Sequence, residues 1–244
     1  MYRAAPAVVG AALLVCLLTV PVAAYGTGWP AGHDILVVAG LLALARVAMA
    51  LSAWDTGGGF GLMGASRDLT FAVLGEALLV TTALVAALPA GTTDLRAMWS
   101  ANAGGAIWAE PAHWCGALAM GLVVLLETGR QPIDNPDTHL ELTMIHEGPL
   151  LEYAGRDLAM LQWAAAARHW VVLVLAAGLF LPHPEAFGPA LAALALGVIA
   201  LVVGLGVVET WQAKMRLLRV PPILLAGTAV ALLGVVTWVV GGGT

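Results

Sequence analysis

The chain has 244 residues, of which 61% are hydrophobic and only 10% charged, against about 25% charged residues in a soluble domain. Ten basic and fifteen acidic residues leave a net charge of −5. These charges are too few to cover a soluble enzyme, keep a chain disordered or bind nucleic acid. The two cysteines, Cys16 and Cys115, both lie in apolar runs. An iron–sulfur cluster or a four-cysteine zinc site needs more. The composition predicts an all-α polytopic membrane protein, a single membrane domain over residues 1–244.

A bilayer-spanning helix needs roughly 20 apolar residues. Seven runs qualify in chain order: 7–25, 34–54, 68–89, 112–128, 167–182, 188–209 and 220–240. They are continuous rather than alternating, which excludes barrel strands. The first run follows Arg3 and ends at Val22-Ala23-Ala24, so it also fits a cleavable leader. Cleavage would leave six spans.

The connecting segments differ in character. Those at 26–33 and 183–187 are short, and 90–111 reads as a small hairpin or interfacial helix. Seven spans place Arg3, Arg67, Arg130, Arg156, Arg168, Lys214, Arg216 and Arg219 on one side and Arg96 alone on the other. The excess of positive charge marks the cytoplasmic side. It predicts a cytoplasmic N-terminus, cytoplasmic loops at 55–67, 129–166 and 210–219, and an outward C-terminus.

Two charges fall within spans, where charge is costly and points to function. Arg46 precedes Trp54 by eight residues, and Glu76 follows Asp68 by eight. Both therefore sit about 12 Å deep at 1.5 Å per residue. They are expected to pair as a clamp between helices, to belong to a buried ion path, or both. Glu127 and Glu209 lie near the same ends of other spans and would extend that polar chain.

The richest segment is 129–166, between the fourth and fifth spans. Pro132 and Pro136 oppose a regular helix at its start. A helix is expected from Thr138, a break at Gly148-Pro149, and a second short helix from Leu150 to Trp163. Interleaved apolar residues such as Leu142, Ile145 and Leu158 make these helices amphipathic, fit to pack on the membrane domain or a partner. Glu141, Glu147 and Glu152 are candidates for proton relay, because clustered and partly buried carboxyls titrate closer to neutrality. His139-x-Glu141 and His146-Glu147 look like ligand pairs. The zincin pattern needs a second His four residues after the first, however, and position 150 is Leu. No metal site is expected.

Several motifs carry a family resemblance. Asp55-Thr-Gly-Gly-Gly-Phe60-Gly-Leu-Met-Gly64-Ala-Ser-Arg67 resembles the DTG…F…GASR segment of hydrogenase-associated membrane subunits. These are relatives of the membrane subunit that lines the quinone cavity of respiratory complex I. Glu127-Thr-Gly-Arg130-Gln-Pro132-Ile-Asp134-Asn-Pro136 is similar to the ETGR-P-DNP stretch of that group. The runs His139 to Glu147, Leu151 to Arg156 and Ala213 to Pro221 resemble its further loops. The wording is nearest to the formate hydrogenlyase subunit 4 and hydrogenase-4 component C group, and the likeness extends from about residue 3 to 240.

The resemblance implies a membrane subunit of an energy-converting hydrogenase. Such a subunit docks the soluble catalytic arm and carries part of a proton or sodium path. Arg46, Glu76, Glu127, Glu141, Glu147, Glu152 and Glu209 would be the path candidates. Asp55, Arg67, Arg130, Asp134, His139, His146, Arg156 and Lys214 would shape the docking face. No cofactor is expected in this chain. The nickel–iron centre and iron–sulfur clusters would reside on the hydrogenase large and small subunits, with antiporter-like membrane subunits as further partners. The family usually has eight spans, so by resemblance a first span would precede residue 1. Ala77 stands where relatives often have Pro. Three other readings remain open: a quinone-site subunit of a complex I-type enzyme, a free-standing secondary transporter, and a metalloenzyme using His146 and Glu147.

Overall fold

A computed structural model describes residues 1–21, 34–103, 105–134, 145–146, 148–182, 184, 186–212 and 215–241. Among them the chain is helical, apart from turns and one isolated antiparallel bridge between Asp34 and Asp94. α1 (Ala5–Thr19) ends where Val20 turns extended. Pro21 follows, and the residue before proline is pushed out of the helical region. The first helix is thus shorter than the run 7–25.

α2 (Ile35–Thr56) begins under a cap, the Asp34 side chain accepting from the Leu36 N–H at 2.8 Å. It stops at Gly57, whose φ of +68° suits glycine. Gly58 is extended, and α3 (Gly59–Ala87) follows at once. The expected loop 55–67 is therefore a two-glycine turn and the first turns of a helix. Gly61, Gly64 and Ala65 put that extension's buried face against its neighbours, and this packing outweighs the poor helix propensity of glycine.

The segment after α3 holds the expected small element, α4 (Leu95–Ala103). The Asp94 carboxylate caps it, accepting from the Arg96 and Ala97 N–H groups at 3.0 and 3.1 Å. Asn102 fastens α4 to the bundle by donating to the Leu181 carbonyl at 2.9 Å. Trp99 closes over Gly178, where an added Cβ would lie 2.0 Å from the indole.

α5 (Pro111–Glu127) coincides closely with its predicted span. A 3-10 turn at Gly148–Glu152 leads into α6 (Gly155–Phe180). Here the expectation needs correction: the short helix at 150–163 and the span at 167–182 are one unbroken helix. No glycine or proline interrupts residues 156–177, and an isolated short helix would forfeit backbone bonds that continuation supplies. α7 (Phe187–Trp211) and α8 (Val220–Val240) complete the chain. Pro221 and Pro222 stand in the first turn of α8, where an N–H has no helical acceptor anyway.

α2, α3, α6, α7 and α8 are long and apolar enough to cross a bilayer, and α1 and α5 are shorter apolar helices. The chain is a membrane-embedded helical bundle. α3 is its axis, flanked by α2, α5 and α8, while α6 packs on α1 and α5, and α7 packs on α6. Leu13, Leu42, Leu78, Leu126 and Leu224 are fully buried at these contacts. Large apolar side chains such as Val73, Leu118 and Leu196 face outward, as lipid contact requires.

Successive long helices run in opposite directions, so the bundle has two distinct ends. One collects Arg3, Arg130, Arg156, Arg216 and Arg219 and is called the basic end below; Lys214 lies outside the described residues. The other carries Arg96. Loops meet at the basic end, where the Met215 N–H donates to the Pro132 carbonyl at 2.9 Å.

Candidate functional site

The site lies at the inner side of the basic end. Arg46 on α2 and Glu127 on α5 are both almost wholly buried, and they form an ion pair between Nη2 and Oε1. Depth along the spans points to Glu76 as the arginine's partner. The structure gives the direct contact to Glu127, at the last turn of α5. Gly75 on α3 lies beside the pair: the Leu126 side chain occupies the place of a Cβ there, and the Arg46 guanidinium is in ordinary contact with that place. Glu76 follows on α3, partly buried and within electrostatic range of Arg46, Glu127 and Arg168.

The pair lines a cavity of about 90 Å³ shared with Asp68, His146, Arg168 and His169. That is room for a few waters at about 30 Å³ each. The polar atoms facing inward have uses for water: Arg46 Nε, Glu127 Oε2 and both ring nitrogens of His146 have no hydrogen-bond partner among the described residues. The His146 Nδ1 lies 3.7 Å from Asp68 Oδ1. A buried polar atom without a partner is costly, so hydration of the cavity is the natural way to satisfy these groups.

The segment that carries His146 is pressed against α3. Gly64 and Gly148 meet backbone to backbone, an added Cβ at Gly148 falling 3.1 Å from the Gly64 Cα. Ile145 beside it is fully buried. On the far side, His146 lies over Gly129, which adopts a φ of +59° in the turn after α5. Three glycines from the motif segments thus hold the histidine at the cavity.

A second cluster tethers this floor to the start of the chain. Tyr2 and Tyr153 stack with centroids 4.6 Å apart. The Tyr153 hydroxyl bonds the Ser52 hydroxyl and donates to the Tyr2 carbonyl. Burial pushes the Tyr153 phenol above its ordinary range. The Asp55 carboxylate accepts from the Tyr2 N–H at 2.9 Å.

The remaining candidates scatter. Glu209 pairs with Arg130 at 3.3 Å in a neighbouring pocket that shares His169 with the cavity. Glu152 lies along Gly58 at the surface. Arg67 is partly buried on α3, Asp134 is buried, and Arg156 is exposed beside Asp157 at 3.8 Å. Glu141, Glu147, His139 and Lys214 lie outside the described residues.

Sequence reasoning misses Asp68, Arg168 and His169 as site residues. With the predicted span beginning at 167, Arg168 reads as a loop charge. It is the fourteenth residue of α6, well inside the helix. A signal is present nonetheless: an Arg-His pair in an Ala/Val-rich run with no helix breaker on either side.

Comparison with known proteins agrees with this architecture. The profile of the NADH dehydrogenase family matches residues 1–240. Hydrogenase-4 component C of Escherichia coli (strain K12) is 34% identical over 249 residues, covering 99% of this chain and 78% of that protein. Formate hydrogenlyase subunit 4 of the same organism is 32% identical over 253 residues, covering 97% and 78%. A chain of the membrane-bound sulfane sulfur reductase, an archaeal respiratory membrane complex, shares the fold with a TM-score of 0.81 at 20% identity, covering 96% of this chain and 78% of that one.

Proposed function

Because the chain belongs to the NADH dehydrogenase family, we propose that it is a membrane subunit of an energy-converting, formate hydrogenlyase-like hydrogenase complex. In that complex it docks a soluble catalytic arm at the basic end and contributes to a proton or sodium path. The basic end faces the cytoplasm of an inner membrane, following the distribution of arginines. Redox chemistry belongs to partner subunits carrying a nickel–iron centre and iron–sulfur clusters. Antiporter-like membrane subunits continue the ion path.

One observation carries this reading: a buried Arg46–Glu127 pair opens on a cavity shared with Asp68, His146, Arg168 and His169 at the basic end. Buried ionisable groups in a membrane are kept for a task. Glu127 is paired with Arg46, and Asp68 and His146 line the same cavity. A proton entering from the basic end reaches Asp68 or His146 first. Its transfer through cavity water to Glu127 neutralises the carboxylate and frees the Arg46 guanidinium for Glu76. The next transfer would then start from Glu76.

The test is purification through a tag on this chain in mild detergent, with identification of the chains that follow it. A large subunit with two Cys-x-x-Cys motifs is the expected companion. A large subunit without those cysteines, or quinone reduction by the purified complex, would move the assignment to a complex I-type enzyme. Isolation as a lone active transporter would overturn it.

A further inference from the structure

A second pocket opens between α6 and α7 at the basic end, with a volume of about 510 Å³. Arg130, Glu209, Thr128 and His169 give it a polar side, and Leu173, Val198, Val202 and Leu205 an apolar one. Arg130 and Glu209 form the mouth, their side chains 43% and 27% exposed, so their 3.3 Å ion pair is open to the outside. The Trp170 indole stands beside them, 46% exposed. Tryptophan is the residue of the membrane–water boundary. Deeper in, Val202 and Val198 form the α7 wall.

The dimensions match one leaflet. From Glu209 to Val198 the helix rises about 16 Å at 1.5 Å per residue, close to half of a hydrocarbon core roughly 30 Å thick. Gly206 sits on the same wall, and an added Cβ there would meet no protein atom within 4 Å. A glycine inside a helix is less stable than an alanine. No described residue packs where its side chain would stand, whereas an occupant of the pocket would.

We propose that this pocket holds one phospholipid of the leaflet at the basic end. Its acyl chain lies along α7, and its headgroup is zwitterionic with a primary ammonium, as in phosphatidylethanolamine. The phosphate meets Arg130 and the ammonium meets Glu209. The mouth offers one fixed positive and one carboxylate group side by side, the complement of that headgroup. A purely anionic headgroup would be opposed by Glu209. A neutral ring such as a quinone would engage neither charge of the Arg130–Glu209 pair.

The complex purified through this chain is washed with detergent, and the lipids retained are counted by native mass spectrometry. One phosphatidylethanolamine per copy should survive washing. Gly206→Phe and Val202→Trp, which fill the pocket from two positions, should each remove that lipid. Glu209→Gln, tested with a defined mixture of phosphatidylethanolamine and phosphatidylglycerol, should shift retention toward phosphatidylglycerol about tenfold. The proposal is overturned by a wild-type complex that retains no lipid in stoichiometric amount. Retention of a quinone or an anionic lipid in its place, a partner helix seated in the pocket, or unchanged retention in both filling variants would each overturn it as well.

Discussion

Arg46 on α2 and Glu127 on α5 pair beside a notch at Gly75 on α3 that the Leu126 side chain fills. An added Cβ at Gly75 would fall 2.3 Å from the Leu126 Cδ2 and 3.9 Å from the arginine Nη1. Leu126 is itself fully buried and has little room to retreat. Gly75→Val should therefore lower stability by about 1–3 kcal/mol, the usual cost of overpacking. Thermal unfolding in detergent reads this directly, and an unchanged midpoint would count against the notch.

The pair itself should behave asymmetrically. Arg46→Met leaves a buried carboxylate uncompensated, which costs about 3–5 kcal/mol. Adding Glu127→Met should recover most of that loss, because two apolar side chains of similar length leave no charge behind. The same thermal measurement on the two single variants and the double variant decides the matter.

Glu76 is placed to receive what Glu127 passes on. Glu76→Gln keeps the shape of the side chain and removes its proton exchange. The complex should assemble normally, while ion translocation measured in vesicles is lost or uncoupled from turnover. Assembly with normal coupling would remove Glu76 from the path.

The floor of the cavity depends on two glycines in contact. Gly64→Ala would bring a methyl to 3.0 Å from the Gly148 Cα, and Gly148→Ala would do the same in reverse at 3.1 Å. Either should loosen residues 145–150, seen as faster amide hydrogen exchange there. Gly40 on α2 serves as the control, since a Cβ at that position meets nothing within 4 Å. Gly40→Ala should leave exchange at 145–150 unchanged.

Tyr153 makes a prediction about pH. Its phenol is raised above the ordinary value near 10, chiefly by burial. A raised pKa means that the folded form favours the protonated phenol. The stabilisation is therefore complete below about pH 10 and fades as pH rises through the folded value. Tyr153→Phe should cost about 1–2 kcal/mol near neutrality, by loss of its bonds to Ser52 and Tyr2. The gap between wild type and variant should close as the thermal midpoint is followed to strongly alkaline pH.

Apolar windows read the interior of the bundle well. α2, α5, α7 and α8 begin and end within two residues of the predicted runs. The same windows fail where a helix continues beyond the hydrocarbon. α3 starts nine residues before its run, through glycines, and α6 starts twelve before its own, through Arg156 and Asp157. Hydropathy reports the solvent, and in these stretches tertiary packing decides the backbone. The site is legible to a similar extent. Arg46, Glu76 and Glu127 stand out as charges in apolar surroundings, but depth alone cannot choose between two glutamates. The seating of α5 beside α2 and α3 makes the choice, and the close packing of Leu126 on Gly75 matters only once these helices are side by side. Asp68 and Arg168 are hidden by the misplaced helix starts.

The separation of Arg46 and Glu127 along the chain has a consequence for biosynthesis. The two residues are 81 positions apart. At about 5–20 residues per second, the ribosome needs on the order of ten seconds to make α5 after α2. During that interval Arg46 lacks its direct partner, and an arginine in a span costs about 2.5–3.5 kcal/mol on insertion scales, offset only by Asp68 and Glu76 once α3 is made. The apolar residues of α2 can carry that load, but the helix is held only provisionally. Arrival of α5 removes the penalty and closes α2, α3 and α5 into one unit. The ion pair therefore forms late in synthesis, and α2 gains its direct partner only once α5 has been made.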